Sequence, residues 1–503
     1  MRTIRRVTGW RAAAVIAAAG GLAVAAEPQA LASPALPAAA AAPSIQLSVS
    51  TGTPTQAVTV SGSGFGAYEG VDIYFDTTDE ILAGTNAKGA FAKVTFTVPT
   101  SAVPGTHWIS AEGRHSGLFA QKPFTVDTPW AAYGRVARHT RSDPFENVLS
   151  PGNVAGLDEA WSFQTGAAVY SSPAVAGGTV YVGSADGHLY AINASTGAQV
   201  WSFAVGAGVL SSPAVAGGVV YFGAADGNVY ALKAATGAKL WSFATGAEVD
   251  SPPTVAGGTV YVGSDNDSIY ALSAATGAKL WSFATQGQVQ GSPAVANGTV
   301  YIASFDGNLY ALDAATGAGL YTVPGVGTVP SSPAVANGIV YVGGSNDSLY
   351  AENAQSGRGV FAASIGGGGS SPAVANGVVY VGSTGGDLYA FDAATGTELW
   401  ASAAGPSVNS SPAVANGVVY VGSGDGDLYA FDASTGATLW SGLTGSSVLS
   451  SPAVSDGTVY VGSEDGSLYA YNLPAAAQAP RRPGPASLHP DHSLRYQTGS
   501  PRK

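Results

Sequence analysis

The chain has 503 residues, of which 46% are apolar and only 10% charged, with 69 glycines and no cysteine. That length supports more than one core, and the missing cysteine excludes disulfides, thiolate metal sites and a cysteine nucleophile. A formal net charge of −12 and a pI near 4.8 argue against a nucleic-acid partner.

Arg2, Arg5, Arg6 and Arg11 precede an Ala-rich apolar run to Ala26 and small residues at Ala30-Leu31-Ala32. This is the pattern of an export signal, residues 1–32, cut near Ala32; Arg5-Arg6 leaves a twin-arginine route open beside general secretion. The run is too short and too rich in alanine for a membrane span. The expectation is a secreted, extracytoplasmic protein.

After a Pro/Ala linker at 33–43, residues 44–127 alternate apolar and polar positions in short runs separated by Gly and Pro. Roughly seven strands in so short a stretch predict a small Ig-like β-sandwich. It resembles the Ig-like modules of bacterial surface proteins, which implies a spacer; a polymer-binding alternative would use Tyr68 or Trp108. Residues 128–157 read as a second linker.

From 158 to 473 the chain repeats one sentence of about 40 residues, first spelled SSPAVAGGTVYVGSADGHLYAINASTGAQVW. Short strands at that period predict an all-β, eight-bladed β-propeller. Gly177-Gly178, repeated as Asn297-Gly298 and Asn416-Gly417, suits a two-residue type I′ hairpin, and Asp186-Gly187 with its echoes is expected to act likewise. The last copy lacks the outer strand that ends each repeat, while an orphan Trp161-Ser162-Phe163 precedes the first, so the two ends are expected to close the ring. Residues 474–503 read as a disordered tail.

The segment AINASTGAQVW, with its echoes, resembles the tryptophan-docking motif of quinoprotein-type eight-bladed propellers, the PQQ-binding-like repeat proteins. In that motif Trp161, Trp201, Trp241, Trp281, Trp400 and Trp440, with Tyr321 and Phe361 in two copies, pack blade on blade. The family contains pyrroloquinoline quinone (PQQ) dependent dehydrogenases and non-catalytic scaffolds. The resemblance implies, for its enzymes, an anionic cofactor held by a basic residue with calcium, and often a vicinal disulfide, which this chain cannot form.

Residues 158–473 carry 21 acidic side chains against four basic ones, Lys233, Lys239, Lys279 and Arg358, a net of −17. The face that gathers the second-to-third strand turns and the blade-to-blade loops is acidic: Asp186, Asp226, Glu248, Asp250, Asp265, Asp267, Asp306, Asp347, Asp387, Asp425, Asp427, Glu464 and Asp465. Either Asp is there as a turn former, or these carboxylates make a negative funnel for a cationic ligand. Asp265-Asn266-Asp267 and Asp425-Gly426-Asp427 lack EF-hand spacing. His188, alone in the repeats, makes a poor triad.

The sequence therefore predicts a non-catalytic binding or scaffolding protein with no catalytic residues, no cofactor and a cationic or cell-envelope partner. A PQQ- and calcium-dependent dehydrogenase acting on alcohols or sugars is the alternative.

Overall fold

The structure, a computed structural model, describes residues 42–328 and 331–474. The expected signal, most of the first linker and nearly all of the tail lie outside the described residues. No helix among them is long and apolar enough to cross a membrane.

Residues 44–126 form two sheets. One pairs Ser44–Leu47, Ala57–Ser63 and Phe91–Thr97; the other has five strands, with Gly105–Gly113 between Phe119–Val126 and Gly70–Phe75. Ile45, Val58, Val60, Ile73, Phe75, Phe96, Ile109 and Phe124 fill the space between them. Trp108 is half-buried, whereas Tyr68 is 79% exposed.

Eight further sheets follow, seven of four strands and one of five, as the blades of a β-propeller. Blade 1 is Ala174–Ala176, Thr179–Gly183, His188–Asn193 and Gln199–Ala204. Blades 2 to 7 repeat it, and the three-residue first strands of successive blades touch one another around the axis. Blade 8 comprises Ala453–Ser455, Thr458–Gly462 and Ser467–Asn472, and its outer strand is Asp158–Gln164 from the other end of the repeats, with Trp161 opposite Ala470 and Phe163 opposite Leu468.

Turn chemistry explains the regularity. At Gly177-Gly178, Asn297-Gly298 and Asn416-Gly417 both residues have positive φ, as a type I′ turn requires. The Asp-Gly turns differ from expectation. Only the glycine is left-handed (Gly187, φ 87°), and the loop closes by Ser184 N–H donating to His188 O, so the Asp stays in ordinary backbone and frees its carboxylate to accept hydrogen bonds.

Neighbouring blades meet at one carbonyl each. Ala234 O accepts from Trp201 Nε1 (2.8 Å) and from the Tyr181 hydroxyl (3.3 Å), both of the preceding blade. The same pair of bonds reaches Ala274 from Trp241 and Tyr221, Ala314 from Trp281 and Tyr261, and Ala433 from Trp400 and Tyr380. Trp161 and Tyr460 share Ala194 O across the closure. Tyr321 substitutes its own hydroxyl, on Ala354 O at 2.8 Å, and Phe361 contributes only a ring. Each indole lies so close to the next Thr-Gly turn that a Cβ on Gly237 (φ 69°) would stand 2.8 Å from Trp201. At the seam Trp440 donates to Leu157 O, and the Tyr420 hydroxyl is left without a partner.

Deleting residues 158–164 leaves Ser467–Asn472 as an open edge, so the expected outcome is aggregation and loss of a single cooperative melting transition. Trp241→Ala is expected to cost about 3–5 kcal/mol in chemical denaturation.

Candidate functional site

The axis of the ring is occupied by the chain itself. Residues 128–143, part of what the sequence presents as a linker, form a band around the inside of the propeller. Thr128 N–H donates to Asp456 Oδ1 of blade 8 (2.7 Å), and the Asp456 amide returns a bond to Thr128 Oγ1 (2.9 Å). Inner-strand valine amides then donate to band carbonyls in ring order: Val175 to Trp130, Val215 to Ala131, Val295 to Ala137, Val335 to Arg138, Val374 to Thr140 and Val414 to Arg141, all at 2.7–2.9 Å. Ser142–Asp143 adds a short parallel strand to blade 7.

Blade 3 is reached by a side chain instead. Its Ser251-Pro252-Pro253-Thr254 departs from the usual Ser-Ser-Pro-Ala, and Thr254 Oγ1 lies 2.9 Å from His139 Nε2. The other ring nitrogen, Nδ1, is 3.2 Å from Pro333 O, which can only accept. Nδ1 therefore carries the proton and Nε2 accepts from the threonine hydroxyl. Burial, then the nearby Arg141 charge, push His139 down to about 3.

The band brings cations into an acidic ring. Arg135 pairs with Asp143 at 2.9 Å, both buried, and burial lifts Asp143 to about 6 against the pull of Arg135. Arg141 is 1% exposed; its Nε donates to Pro412 O (3.0 Å), its Cζ stands 4.3 Å from the centre of the Tyr133 ring, and its Nη1 has no partner.

Tyr133 floors a cavity of about 490 Å³ that opens among the blade-to-blade loops. Its hydroxyl is 2.8 Å from Ser371 Oγ and 3.1 Å from Ser411 Oγ. The walls are the second serines of the Ser-Ser-Pro elements. Each amide donates to the next blade's hydroxyl, from Ser172 to Ser212, Ser332 to Ser371, Ser371 to Ser411, Ser411 to Ser451 and Ser451 to Ser172, at 2.8–3.1 Å. Pro252 interrupts this ring. No charged side chain is among the lining residues, and the Arg141 guanidinium is stacked on the Tyr133 ring. A tricarboxylate quinone would lose its hydration there without gaining an ion pair, so the donor set does not fit it.

The acidic residues separate into two groups. Asp186, Asp226, Asp306, Asp425 and Asp465 accept the hydroxyl of the tyrosine four residues on. Three of them also accept an amide from the adjacent blade-to-blade loop, at Gly166, Gln286 and Gly445. Burial raises the Asp186 and Asp465 carboxyls, but these hydrogen bonds outweigh it and hold both below the usual range. Asp267 and Asp347 fill the left-handed slot that glycine takes elsewhere (φ 62° in both). Asp387 and Asp427 begin third strands, and Glu464 lies one residue before a turn carboxylate.

Glu248, Asp250 and Asp265 are different. In blade 3 Asn266 takes over the contact with its tyrosine, Tyr270, and Asp265, at a position that is Ala in blade 1, faces the loop acids. One carboxylate oxygen from each of the three lies within 4.8 Å of the others. Burial, then Asp265 and Glu248, raise Asp250 to about 6. Gln290 Nε2 donates to Asp265 Oδ2 at 3.0 Å and links this trio to the wall of the axial cavity.

The band left no motif in the sequence; the only trace was the odd Ser-Pro-Pro-Thr of blade 3. Column-by-column comparison of the repeats would also have marked the cavity mouth. A buried valine (169, 209, 249, 289, 408, 448) is followed by Tyr170, Leu210, Asp250, Gln290, Asn409 or Leu449, and then by Ser-Ser-Pro or, in blades 3 and 4, by Ser-Pro-Pro and Gly-Ser-Pro.

These features define a PQQ-like β-propeller with a self-filled axis. The family described as outer membrane protein assembly factor BamB matches residues 151–249, 225–367, 323–400 and 384–479, and the chain belongs to it. A search of curated protein sequences gives no match. Among solved structures, the fold is similar to BamB from Moraxella catarrhalis (TM-score 0.55, 22% identity, covering 63% of this chain and 99% of that one). It is also similar to a quinohemoprotein alcohol dehydrogenase from Comamonas testosteroni (0.62, 18%, 70% and 81%) and to a europium-containing methanol dehydrogenase (0.58, 17%, 69% and 98%). At these identities the likeness concerns the fold.

His139 is neutral when folded and protonates on unfolding. Its contribution to stability is complete above about pH 6.5 and is lost progressively as pH falls toward about 3. His139→Gln is therefore expected to melt at a lower temperature than the parent at neutral pH, with the gap narrowing on acidification. Parallel melting temperatures across that window would contradict this assignment.

Proposed function

We propose that this is an exported, non-catalytic binding or scaffolding protein, an eight-bladed propeller carried behind an Ig-like spacer, whose loop face receives a cationic partner from the cell envelope. The observation that carries the reading is the filled axis. The chain's own band holds the centre of the ring, and the cavity left above it offers hydroxyls and amides but no cation for an anionic cofactor. The family description, an assembly factor, agrees with a platform. The charge of the repeats and the convergence of Glu248, Asp250 and Asp265 favour a partner that brings positive charge, either a basic protein segment or a metal ion. The turn carboxylates add to the field while serving as hairpin residues.

A dehydrogenase reading requires PQQ to bind. Titration of the purified chain with PQQ and calcium, followed by absorbance and an alcohol- and sugar-oxidation assay, is expected to show neither a bound-quinone spectrum nor turnover; either would overturn the proposal.

For the cationic partner, the triple variant Glu248→Gln, Asp250→Asn, Asp265→Asn is expected to weaken retention of a polylysine probe at low salt and to flatten its salt dependence. Asp250 takes up a proton between about pH 6 and pH 4 more readily when folded than when unfolded. The variant should therefore melt higher than the parent at neutral pH, with the advantage shrinking as pH falls through that window. Equal retention of polylysine by parent and variant would place the partner elsewhere.

A further inference from the structure

The axial cavity has its own chemistry, distinct from the acidic trio beside it. Three observations converge on it. The first is internal variation. Around the ring, copies that agree at nearly every position disagree at the residue before the Ser-Ser-Pro element or its equivalent, which in the described copies holds Tyr170, Leu210, Asp250, Gln290, Gly369, Asn409 or Leu449, and five of these seven line the cavity. Packing does not demand the differences, because the valine before this position is the buried, repeated member of the pair in six of the copies. Eightfold symmetry is broken at the mouth of the cavity and, but for Pro252, kept in the ring of serines behind it.

The second observation is the hydrogen-bonding state of that wall. Ser172, Ser212 and Ser451 each accept a neighbouring blade's amide through Oγ, and among the described residues their hydroxyl hydrogens have no acceptor. A hydroxyl has one donor and room for two acceptances, so these side chains present donors toward the axis. Gln290 and Asn409 add amides that both donate and accept. The third observation is charge and shape. No ionic side chain lines the cavity, Tyr170 is 39% exposed at the rim, Tyr133 forms the floor, and about 490 Å³ falls within the usual range for small-molecule sites, about 300–1,000 Å³.

We infer that the axial cavity binds an uncharged, hydroxyl-rich ligand, the size of a mono- or disaccharide. Each ligand hydroxyl both donates and accepts and so pairs with serine hydroxyls and side-chain amides without importing charge into a polar, neutral wall. Tyr170 supplies a flat apolar face for the C–H side of a sugar ring. A carboxylated sugar meets a wall without cations beneath an acidic rim, and an amino sugar would be drawn to Glu248, Asp250 and Asp265 instead. The site takes none of those carboxylates as a ligand group, and its one link to them is Gln290, whose Nε2 donates to Asp265 Oδ2.

The test is isothermal titration of the full chain with cellobiose, maltose and chitobiose, alongside glucuronate and glucosamine. At least one neutral disaccharide is expected to bind, with glucuronate weaker at low salt. Tyr170→Ala and the double variant Gln290→Ala, Asn409→Ala are expected to lower affinity by about tenfold or more with the melting temperature little changed, because a site built to bond hydroxyls loses heavily when its partners go. Leu210→Ala, at the same register but outside the lining, is expected to bind as the parent does. The inference is overturned if no neutral sugar binds, if binding ignores the Tyr170 and Gln290/Asn409 changes, or if glucosamine binds best and loses its affinity in the carboxylate triple variant. That last result would leave the acidic trio as the site and the cationic-partner reading intact.

Discussion

The propeller depends on a shared acceptor. In most blades one alanine carbonyl, three residues before the glycine of the Thr-Gly turn, takes an indole N–H and a phenol O–H from the preceding blade. Two donors on one buried carbonyl fix two strands of a neighbour at once, and the glycine that follows allows the indole to lie flat against the turn. Because each blade both supplies donors and offers the acceptor, the contact propagates around the ring. It loses one donor where Phe361 replaces the tryptophan, and it changes at the seam, where Leu157 stands in for the missing turn and the Tyr420 hydroxyl has no partner.

Inside that frame the band solves a different problem. The innermost strands face the axis with valine amides that no further strand can satisfy, and an unmet buried amide is costly. The band answers with its own carbonyls, one blade after another, and reaches the blade it misses with His139. The central space is thereby committed to structure. What remains open is the shallow serine-walled cavity above Tyr133, and the uneven residues around its mouth give that face a direction in an otherwise repetitive molecule.

Much of the fold was legible because repetition is a side-chain signal. Proline, glycine pairs and tryptophan recur at fixed intervals, and each has one mechanical role. The band was illegible for the complementary reason: its contacts run through main-chain carbonyls, which every residue possesses, so Pro129 to Asp143 shows no pattern to read. The acidic face was half legible. Composition showed where the carboxylates gather, but not that five of them are engaged by a tyrosine four residues later, nor that Asn266 releases Asp265 to meet Glu248 and Asp250. Those distinctions depend on which turn atom a hydroxyl reaches.

The position of the band along the polypeptide has a consequence for assembly. Thr128 to Asp143 precedes every blade in the sequence, as does the strand that completes blade 8. A chain emerging from its N-terminus thus makes its axle before its wheel: each new blade can settle on a carbonyl already waiting for it, and nothing has to be threaded through a finished ring. Closure comes last, when Ser467–Asn472 arrives, so the final strand pairing is also the strand pairing of longest sequence separation. Folding of this kind is paced by that long-range step, and until it happens both Asp158–Gln164 and blade 8 carry an unpaired edge. A second copy of the chain could pair with such an edge in trans, which makes concentration during refolding the variable that decides between a closed ring and an exchanged one.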